Sequence, residues 1–392
     1  MNSFFCSVEL LSHPELKDKP VAVSGSVENR HGIILAKNQL AKSYGVETPE
    51  PVWQALKKCP DLVLLPSHHG LYYEYYKKIN QIYLNYTDLV EPFSIDESWL
   101  DVTASQSLFG DGKKIADEIR ERVKKELGLT LSCGVSFNKI FAKMGSDYKK
   151  PDATTVISRD NYRDILFPLP AREMFFCGKK TVEKLAKVGI RTIGDIATSE
   201  KSLLVKLLGK MGEELWENTN GLNSDPVMPF THREKPKSLG HGITFRHDIT
   251  TDDDIAIAVT AIADEVASGL RYEKMKASGV KVDIKDSYFK SISRQKQLLT
   301  PTNLKDDIKN CALDLIKENW DRKSPIRLIT ITGINLVDED ECSQLNLFSE
   351  VDEKSEKVER AMDEIRQKFG NSSLSFANIL NNDLGINDKN EH

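Results

Sequence analysis

The chain has 392 residues, of which 40% are hydrophobic and 29% are charged, and its formal net charge at pH 7 is −5. This length exceeds one ordinary domain, and the composition excludes a fibrous or largely disordered protein. No apolar run reaches the roughly 18 residues of a membrane span, no secretory leader is recognisable, and the six cysteines lack zinc or disulfide spacing, so we expect a cytoplasmic protein without structural zinc.

The first 69 residues hold short elements. Apolar runs predict strands at 21–23, 32–35 and 62–65, with short helices near 38–44 and 52–58.

From about residue 72 the predicted order is α-β-β-α-β. The elements are a helix at 72–86, strands at 89–93 and 98–102, a helix ending near 127, a strand at 131–137 and a short helix at 140–147. With one more strand at the very N-terminus, the order becomes the split β-α-β-β-α-β arrangement. Residues 11–69 would then follow its first strand as an insertion, and its central hairpin would carry Asp96 and Glu97 at the tip.

In the second half of the chain the predicted secondary structure changes twice. Glycine-punctuated short helices are predicted over 173–221, and the proline-flanked stretch 231–237 indicates a linker. Residues 238–337 then mix helices with strands, and one charged helix precedes an asparagine-rich end. The predicted elements here are helices at 255–272, 304–319 and 358–369, and strands at 279–286 and 326–336.

The pair Asp96 and Glu97 is the most informative feature. Adjacent acids at a turn usually mark only a solvated loop, but here Phe93 and Ile95 precede the pair and Trp99 follows it. Two anions held close together repel each other, and a divalent cation is the usual compensation. Oxygen ligands favour magnesium or manganese over zinc.

Five segments together resemble the Y-family DNA polymerases, most closely the bacterial DinB (DNA polymerase IV) group. They are residues 2–9, 36–42, 94–98, 134–139 and 147–152. Each motif alone is weak, but five in the right order, within a resemblance that reaches about residue 345, are strong. The resemblance implies a low-fidelity, template-directed translesion DNA polymerase that adds deoxynucleotides to a primer 3′ end.

The resemblance also implies a fold: an α+β, multidomain right hand. It would have a ferredoxin-like βαββαβ palm with small inserted fingers, a helix-hairpin-helix thumb and an α+β little finger. The implied bounds are palm 1–10 and 70–157, fingers 11–69, thumb 158–230, linker 231–237, little finger 238–343, and clamp-binding peptide with C-terminal tail 344–392.

In that family two metal ions drive attack of the primer 3′-hydroxyl on the α-phosphate of the nucleotide. The resemblance implies that Asp96 and Glu97 are the catalytic carboxylates. With the backbone carbonyl of Met1 they would hold two Mg²⁺ ions, for which Mn²⁺ could substitute. The family's remaining carboxylate is an aspartate just before the position that Met1 matches, and the printed chain does not contain it.

Two explanations of that difference stay open. In the first, which the intact motifs elsewhere favour, the start codon lies inside the gene and a strand with its aspartate is encoded upstream. Alternatively, the protein is a catalytically impaired accessory that binds DNA and the sliding clamp. An in-frame upstream strand ending in aspartate would restore the polymerase, whereas a stop codon there would support the accessory.

The resemblance assigns four residues to the incoming nucleotide. Phe5 matches the steric gate, a ring beneath the sugar that excludes a ribose 2′-hydroxyl, and its neighbour Phe4 is the better candidate for core packing. Lys42 and Lys150 match cations that clamp the triphosphate. Where many relatives carry a tyrosine near the triphosphate, this chain has Gln39.

DNA contacts are expected in the thumb and the little finger. Candidate residues are Lys179, Lys180, Lys184 and Gly189 in the hairpin, and Lys281 and Lys285 on one strand face. A helix-hairpin-helix unit presents backbone N–H groups to phosphates, and lysines along one strand face can follow a phosphate backbone. The competing interpretations are an ordinary helical hairpin and a solvated charged face.

A short peptide resembles the segment by which bacterial polymerases dock on the sliding clamp. Its candidate residues are Gln344, Leu345, Leu347 and Phe348. The expected partners are therefore primer–template DNA, deoxynucleoside triphosphates and a bacterial sliding clamp, with the chain acting as a monomer away from membranes. A nucleotidyl cyclase on the same palm topology is a further alternative, although a cyclase needs neither the basic thumb nor the clamp peptide.

Overall fold

The computed structural model describes residues 1–25, 32–340, 353–380 and 382–386. Two compact units are present, one built from residues 1–25 and 33–233, the other containing the residues from Glu234 onward. Among the described residues, no helix combines the length and apolar character needed to cross a membrane.

The first unit begins with a helix and a small sheet. Its elements are α1 (Phe4–Ser12), β1 (Val21–Ser24), β2 (Ile34–Lys37), α2 (Gln39–Ser43), α3 (Val52–Lys58) and β3 (Val63–Leu65). β1 is central, antiparallel to β2 and parallel to β3. It is buried on both faces, with Ala22 packing toward α2 and α3 and with Val21 and Val23 packing against Cys6 of α1. The predicted strands and short helices of this segment agree with these elements.

The N-terminal residues differ from the expected strand. α1 begins at Phe4, after Ser3 in a left-handed conformation (φ 47°). Phe4 and Val8 lie one helical turn apart, so both reach the core that surrounds Tyr72, whereas Cys6 on another face reaches β1. In a strand Phe4, Cys6 and Val8 would all point to one face, whereas the helix directs Cys6 to a different side from Phe4 and Val8, and both sides are buried.

The α-β-β-α-β order is found in the next segment. Its elements are α4 (His69–Leu84), β4 (Val90–Ser94), β5 (Glu97–Leu100), α5 (Gln106–Phe109), α6 (Gly112–Leu127), β6 (Cys133–Ser136), α7 (Lys139–Tyr148) and β7 (Thr154–Ile157). β4 and β5 form an antiparallel hairpin, and β6 pairs in parallel with β7, which the sequence pattern did not predict. The four strands pair two by two, and residues 1–2 lie between the pairs: Met1 N donates to Asp96 O (2.8 Å) and Asn2 N to Thr130 O (3.1 Å).

Helices α4 and α6 supply the core beneath this hairpin. Ile115, Ile119 and Val123 are buried at the helical spacing that predicted α6, and they share one cluster with Tyr72 and Ile79 of α4. Asp111 caps the start of α6 by accepting from Lys114 N, and Gly128 (φ 69°) ends the helix in the left-handed conformation.

Short helices complete the first unit. They are α8 (Tyr162–Leu166), α9 (Lys179–Lys187), α10 (Ile193–Thr198), α11 (Lys201–Leu208) and α12 (Lys210–Thr219). Their inward residues, including Leu185, Ile193 and Leu204, are fully buried in one cluster. This agrees with the glycine-punctuated helical region predicted over 173–221.

The second unit is a four-stranded antiparallel sheet with two long helices on one face. Its elements are β8 (Ser238–Ile249), α13 (Asp252–Tyr272), β9 (Met275–Asp286), β10 (Ser291–Thr302), α14 (Lys305–Asn319), β11 (Ile326–Asp338) and α15 (Glu353–Phe369). The strand order is β10-β9-β11-β8. The edge strands β8 and β10 were not predicted. Most residues of β10 are exposed, and in β8 Gly240 and Gly242 lie against threonines of β11 and interrupt the apolar pattern.

Candidate functional site

The two acids at the hairpin tip stand at the rim of the fold. The Asp96 and Glu97 side chains are 30% and 29% exposed, so they are neither fully solvated nor enclosed. The Ser94 hydroxyl donates to Asp96 Oδ1 (2.9 Å), and the other carboxylate oxygen lies 3.9 Å from the Met1 nitrogen. Lys143 Nζ donates to Glu97 Oε1 at 2.7 Å. Oxygen atoms of both acids are therefore available to a cation that approaches from solvent.

An open cleft of about 580 Å³ adjoins this tip. Met1, Asp96, Glu97 and Lys150 all line it, together with β5, β6 and the first turns of α7. Four residues that the resemblance assigned to metal or triphosphate binding thus converge on one cavity, although they come from three distant parts of the chain.

A second cleft, of about 400 Å³, lies on the other side of Asp96 and Lys150. Phe5 and Lys42 line it, as does Gln39. The neighbouring phenylalanines differ in burial. Phe4 is only 4% exposed and belongs to the core cluster, whereas Phe5 is half-buried, so Phe5 is the ring that a ligand in this cleft would meet.

Sequence reasoning missed two charged residues of α7. Lys143 bridges Glu97 (2.7 Å) and Asp147 (3.0 Å), and Asp147 in turn holds Lys150 (2.6 Å). The result is a chain of alternating charges that joins a candidate metal ligand to a candidate phosphate-binding lysine. The i,i+4 spacing of Lys143 and Asp147 and the i,i+3 spacing of Asp147 and Lys150 were visible in the sequence, but the link to Glu97 was not.

The protonation of this chain follows from its contacts. Burial disfavours the Lys143 ammonium, but hydrogen bonds to Glu97 and Asp147 outweigh burial and raise the pKa of Lys143. Burial likewise opposes the Asp147 carboxylate, and Lys150 and Lys143 outweigh it, so the pKa of Asp147 is lowered. Both groups therefore stay charged at neutral pH.

The donor set fits a divalent ion only in part. Within the described residues no group of three His, Cys, Asp or Glu side chains could hold a metal. Mg²⁺, however, is commonly bound by one or two carboxylates together with substrate phosphates and water. Asp96 and Glu97 satisfy that requirement once a triphosphate is present, provided that Glu97 exchanges Lys143 for the ion.

The helical hairpin formed by α9 and α10 exposes its cations. Lys179, Lys180 and Lys184 lie on the solvent side of α9, whose opposite side buries Leu185. In the described part of the chain none of these three lysines forms an ion pair. Gly189 adopts φ 84° in the connection, a conformation that favours glycine.

The strand face predicted in the second unit is also present. Lys281 and Lys285 are half-buried on the face of β9 opposite the core, where Val282 and Ile284 are buried. Asp283 shares that face and pairs with Lys281 at 3.0 Å, which partly neutralises it. The predicted clamp-binding residues 344–348 lie outside the described residues.

A family of known proteins matches most of this chain. The impB/mucB/samB family matches residues 1–147, and its C-terminal domain matches residues 236–347. The chain is 43% identical over 390 residues to "DNA polymerase IV" of Acetivibrio thermocellus, covering 99% of this chain and 97% of that protein. It is 39% identical over 376 residues to "DNA polymerase IV 1" of Bacillus subtilis, covering 94% of this chain and 89% of that protein.

A solved structure described as a Y-family DNA polymerase chimera, Dbh-Dpo4(243-245)-Dbh, superimposes with a TM-score of 0.75. The superposition covers 86% of this chain and 97% of the chimera, at 22% sequence identity. At this identity the likeness bears on fold alone, and it confirms the α+β, multidomain class expected from the sequence.

Proposed function

This chain belongs to the impB/mucB/samB family of DinB-like Y-family DNA polymerases, and we propose that it extends primer 3′ ends with deoxynucleotides across damaged or distorted templates. It is a DNA-directed DNA polymerase by its relatives, which match almost its full length. The observation that carries the site assignment is the convergence of Asp96, Glu97, Met1 and Lys150 on one cleft.

The proposed reaction forms a bond from the primer 3′-oxygen to the α-phosphorus as the bond to pyrophosphate breaks. Divalent ions, Mg²⁺ or Mn²⁺, would activate the attacking oxygen and stabilise the charge that develops in the displacement. Asp96, Glu97 and the Met1 carbonyl would hold them. Lys150 would leave Asp147 for the triphosphate, and Lys42 would approach it from the fingers side of the second cleft.

We further propose a role for Phe5 and a low fidelity of the enzyme. Phe5, half-buried at the second cleft, would stand under the sugar and reject a ribose 2′-hydroxyl. Low fidelity is supported by the fingers, whose longest helix, α3, has only seven residues. So small a segment offers little surface with which to test the shape of a nascent base pair.

The site assignment is tested by primer extension on a template with a short 5′ overhang. Asp96→Ala combined with Glu97→Ala should lower the rate of nucleotide addition by at least about 10²-fold, since it removes the stabilisation of transition-state charge. DNA affinity, measured by fluorescence anisotropy, should stay within about twofold because phosphate contacts dominate it. Glu121→Ala, an exposed acid on α6 outside both clefts, is the matched control.

Three outcomes separate the alternatives. Retained extension by the double variant would remove these acids from the site. Absence of extension by the unaltered chain, with DNA binding intact, would favour the accessory protein. Conversion of a nucleoside triphosphate into a cyclic product without any primer would favour the cyclase.

The sliding clamp is proposed as a partner from the peptide at 344–348. Deleting Gln344–Phe348 should leave extension by the isolated chain unchanged but abolish its stimulation by a bacterial clamp. Stimulation that survives the deletion would place the clamp contact elsewhere. A deletion of equal length at 387–391, near the end of the chain, controls for the shortened tail.

A further inference from the structure

A buried polar cluster lies directly behind Phe5. Glu9 of α1 is 3% exposed, yet its carboxyl group is not left without partners. The Tyr72 hydroxyl donates to Glu9 Oε1 at 2.5 Å, and His68 Nδ1 lies 3.0 and 3.1 Å from the two carboxyl oxygens. The backbone N–H of His68 also donates to the Tyr72 hydroxyl (3.1 Å). The phenol of Tyr72 is therefore fixed from two directions.

The ring of Tyr72 supports Phe5. The two rings are stacked, with centroids 4.1 Å apart and planes inclined by 10°, and Tyr72 is fully buried. His69 meets the Phe5 ring edge-on at 5.7 Å. Phe5 itself lines the second cleft with Lys42 and Lys150. Tyr72 thus occupies one face of the Phe5 ring and limits how far that ring can withdraw from a ligand.

We propose that Glu9, acting through Tyr72, is a positioning residue that holds the Phe5 ring against the nucleotide sugar and so sets the selection of deoxyribose over ribose. The inference rests on the proposed role of Phe5 as the gate. Steric exclusion of one hydroxyl requires that the ring cannot recede by the ångström or so that an extra oxygen needs. A stack whose far side is anchored to a buried carboxyl group supplies that stiffness.

The chemistry of the cluster suits an anchor. Burial, with a further contribution from Glu9, raises the pKa of the Tyr72 phenol, so the hydroxyl stays a donor across the physiological pH range. A buried carboxyl group that loses a donor is costly to leave unsatisfied. Tyr72 therefore has no inexpensive alternative position, and the ring stacked upon it shares that restraint.

The test compares incorporation of dCTP and rCTP opposite a template guanine, with full-length protein. Tyr72→Phe keeps the ring but removes the hydroxyl. It should lower the ratio of kcat/KM for dCTP to that for rCTP by about threefold to tenfold, the fold-change that corresponds to one hydrogen bond. The value of kcat/KM for dCTP should stay within about twofold of wild type. The change should arise on the rCTP side.

Tyr86→Phe is the matched control. Tyr86 is 3% exposed in the same core, and its hydroxyl donates to the exposed Glu118 at 2.8 Å, so Tyr86→Phe removes a tyrosine–carboxylate bond away from Phe5. Because water can replace the donor lost by the exposed Glu118, this variant should reduce thermal stability less than Tyr72→Phe, and it should leave sugar selection unchanged. An equal loss of selection in both variants would reduce Tyr72 to a general packing residue and overturn the proposal.

A double-variant cycle isolates the coupling. Phe5→Ala should abolish most of the discrimination, and adding Tyr72→Phe to it should cause no further loss, because the anchored ring is gone. The same fold loss in both backgrounds would refute a route through Phe5. Discrimination that survives Phe5→Ala would reject the gate itself, and with it this inference, while primer extension would still support the polymerase.

Substitutions at Glu9 complete the test. Glu9→Gln keeps an acceptor oxygen for Tyr72 and should retain wild-type selection, whereas Glu9→Ala should lose as much as Tyr72→Phe. If Glu9→Ala fails to fold, the comparison of Tyr72→Phe with Tyr86→Phe still shows whether the Tyr72 hydroxyl affects sugar selection. Unchanged selection in Tyr72→Phe refutes the anchor.

Discussion

Replacing Gly134 with alanine tests how closely α7, the helix that carries Lys143, must approach strand β6. A Cβ built on Gly134 would lie 1.8 Å from the Ala142 carbonyl oxygen and 2.5 Å from Ser146 N. Both atoms are backbone atoms of α7, so no side chain can rotate away. The helix must instead retreat by about 1.6 Å, the difference between 1.8 Å and an ordinary contact of 3.4 Å.

The magnitude follows from this geometry. Overpacking a core costs about 1–3 kcal/mol, and because rigid backbone is displaced we expect the upper end, about 3 kcal/mol. For a unit of roughly 200 residues, each kcal/mol lowers Tm by about 2–4 °C, so the first unit should unfold roughly 6–12 °C earlier. The same movement should displace Lys143, which lines the cleft beside Glu97, and slow nucleotide addition by about tenfold or more.

The assay is thermal unfolding followed by circular dichroism, with primer extension on the same preparations. Gly178→Ala is the control, because a Cβ there meets nothing within 4 Å and φ is −72°. It should shift Tm by no more than a few degrees. If Gly134→Ala unfolds at the wild-type temperature, α7 has room to move and this account of its contact with β6 is wrong.

Three further substitutions address other parts of the chain. Arg271→Met leaves Glu359, which is 9% exposed, without its buried partner. The substitution should lower the free energy of unfolding by about 3–5 kcal/mol and make α15 sensitive to limited proteolysis. Unchanged protease resistance would contradict this prediction. Backbone N–H groups lower the pKa of Asp195, so its cap stabilises α10 above the ordinary carboxyl pKa of about 3.9 and is lost as pH falls through the lowered value. Asp195→Asn should therefore destabilise by about 1 kcal/mol at neutral pH, with the difference disappearing in acid; a pH-independent difference in unfolding would refute the cap. Lys150→Ala should raise KM for deoxynucleotides about tenfold through one lost charged contact, whereas its exposed neighbour in Lys149→Ala should change little, and equal KM values would remove Lys150 from the triphosphate site.

The elements that the sequence predicts well are those with strong local periodicity. In α6 the apolar residues recur on one face, so the period alone identifies a helix. The edge strands β8 and β10 were not predicted because few of their side chains are buried. A strand with little apolar alternation cannot be recognised from its sequence pattern. The apolar run at the start of α1 fits either period, and only its packing against both Tyr72 and β1 selects the helix.

The site shows the same limit. The tip acids stand out because they are adjacent in the sequence and flanked by apolar residues. Glu97 and Lys143 are 46 residues apart, and Glu9 and Tyr72 are 63 apart, so no spacing rule joins either pair. Only the fold brings them together, which is why reasoning from the sequence could suggest Phe5 but not the residues that support it.

The two networks around the clefts should respond differently to salt. The chain from Glu97 through Lys143 and Asp147 to Lys150 is charged and partly exposed, so a triphosphate with its cations must exchange existing ion pairs for new ones. Because the Debye screening length shortens to about 3 Å at 1 M salt, KM for deoxynucleotides should rise steeply with ionic strength. The Phe5–Tyr72 stack is held by apolar contact and a buried hydrogen bond, which salt barely screens. Sugar discrimination should therefore stay constant over the range in which KM rises. A discrimination ratio that fell in parallel with affinity would mean that the gate depends on the charged chain and not on Tyr72.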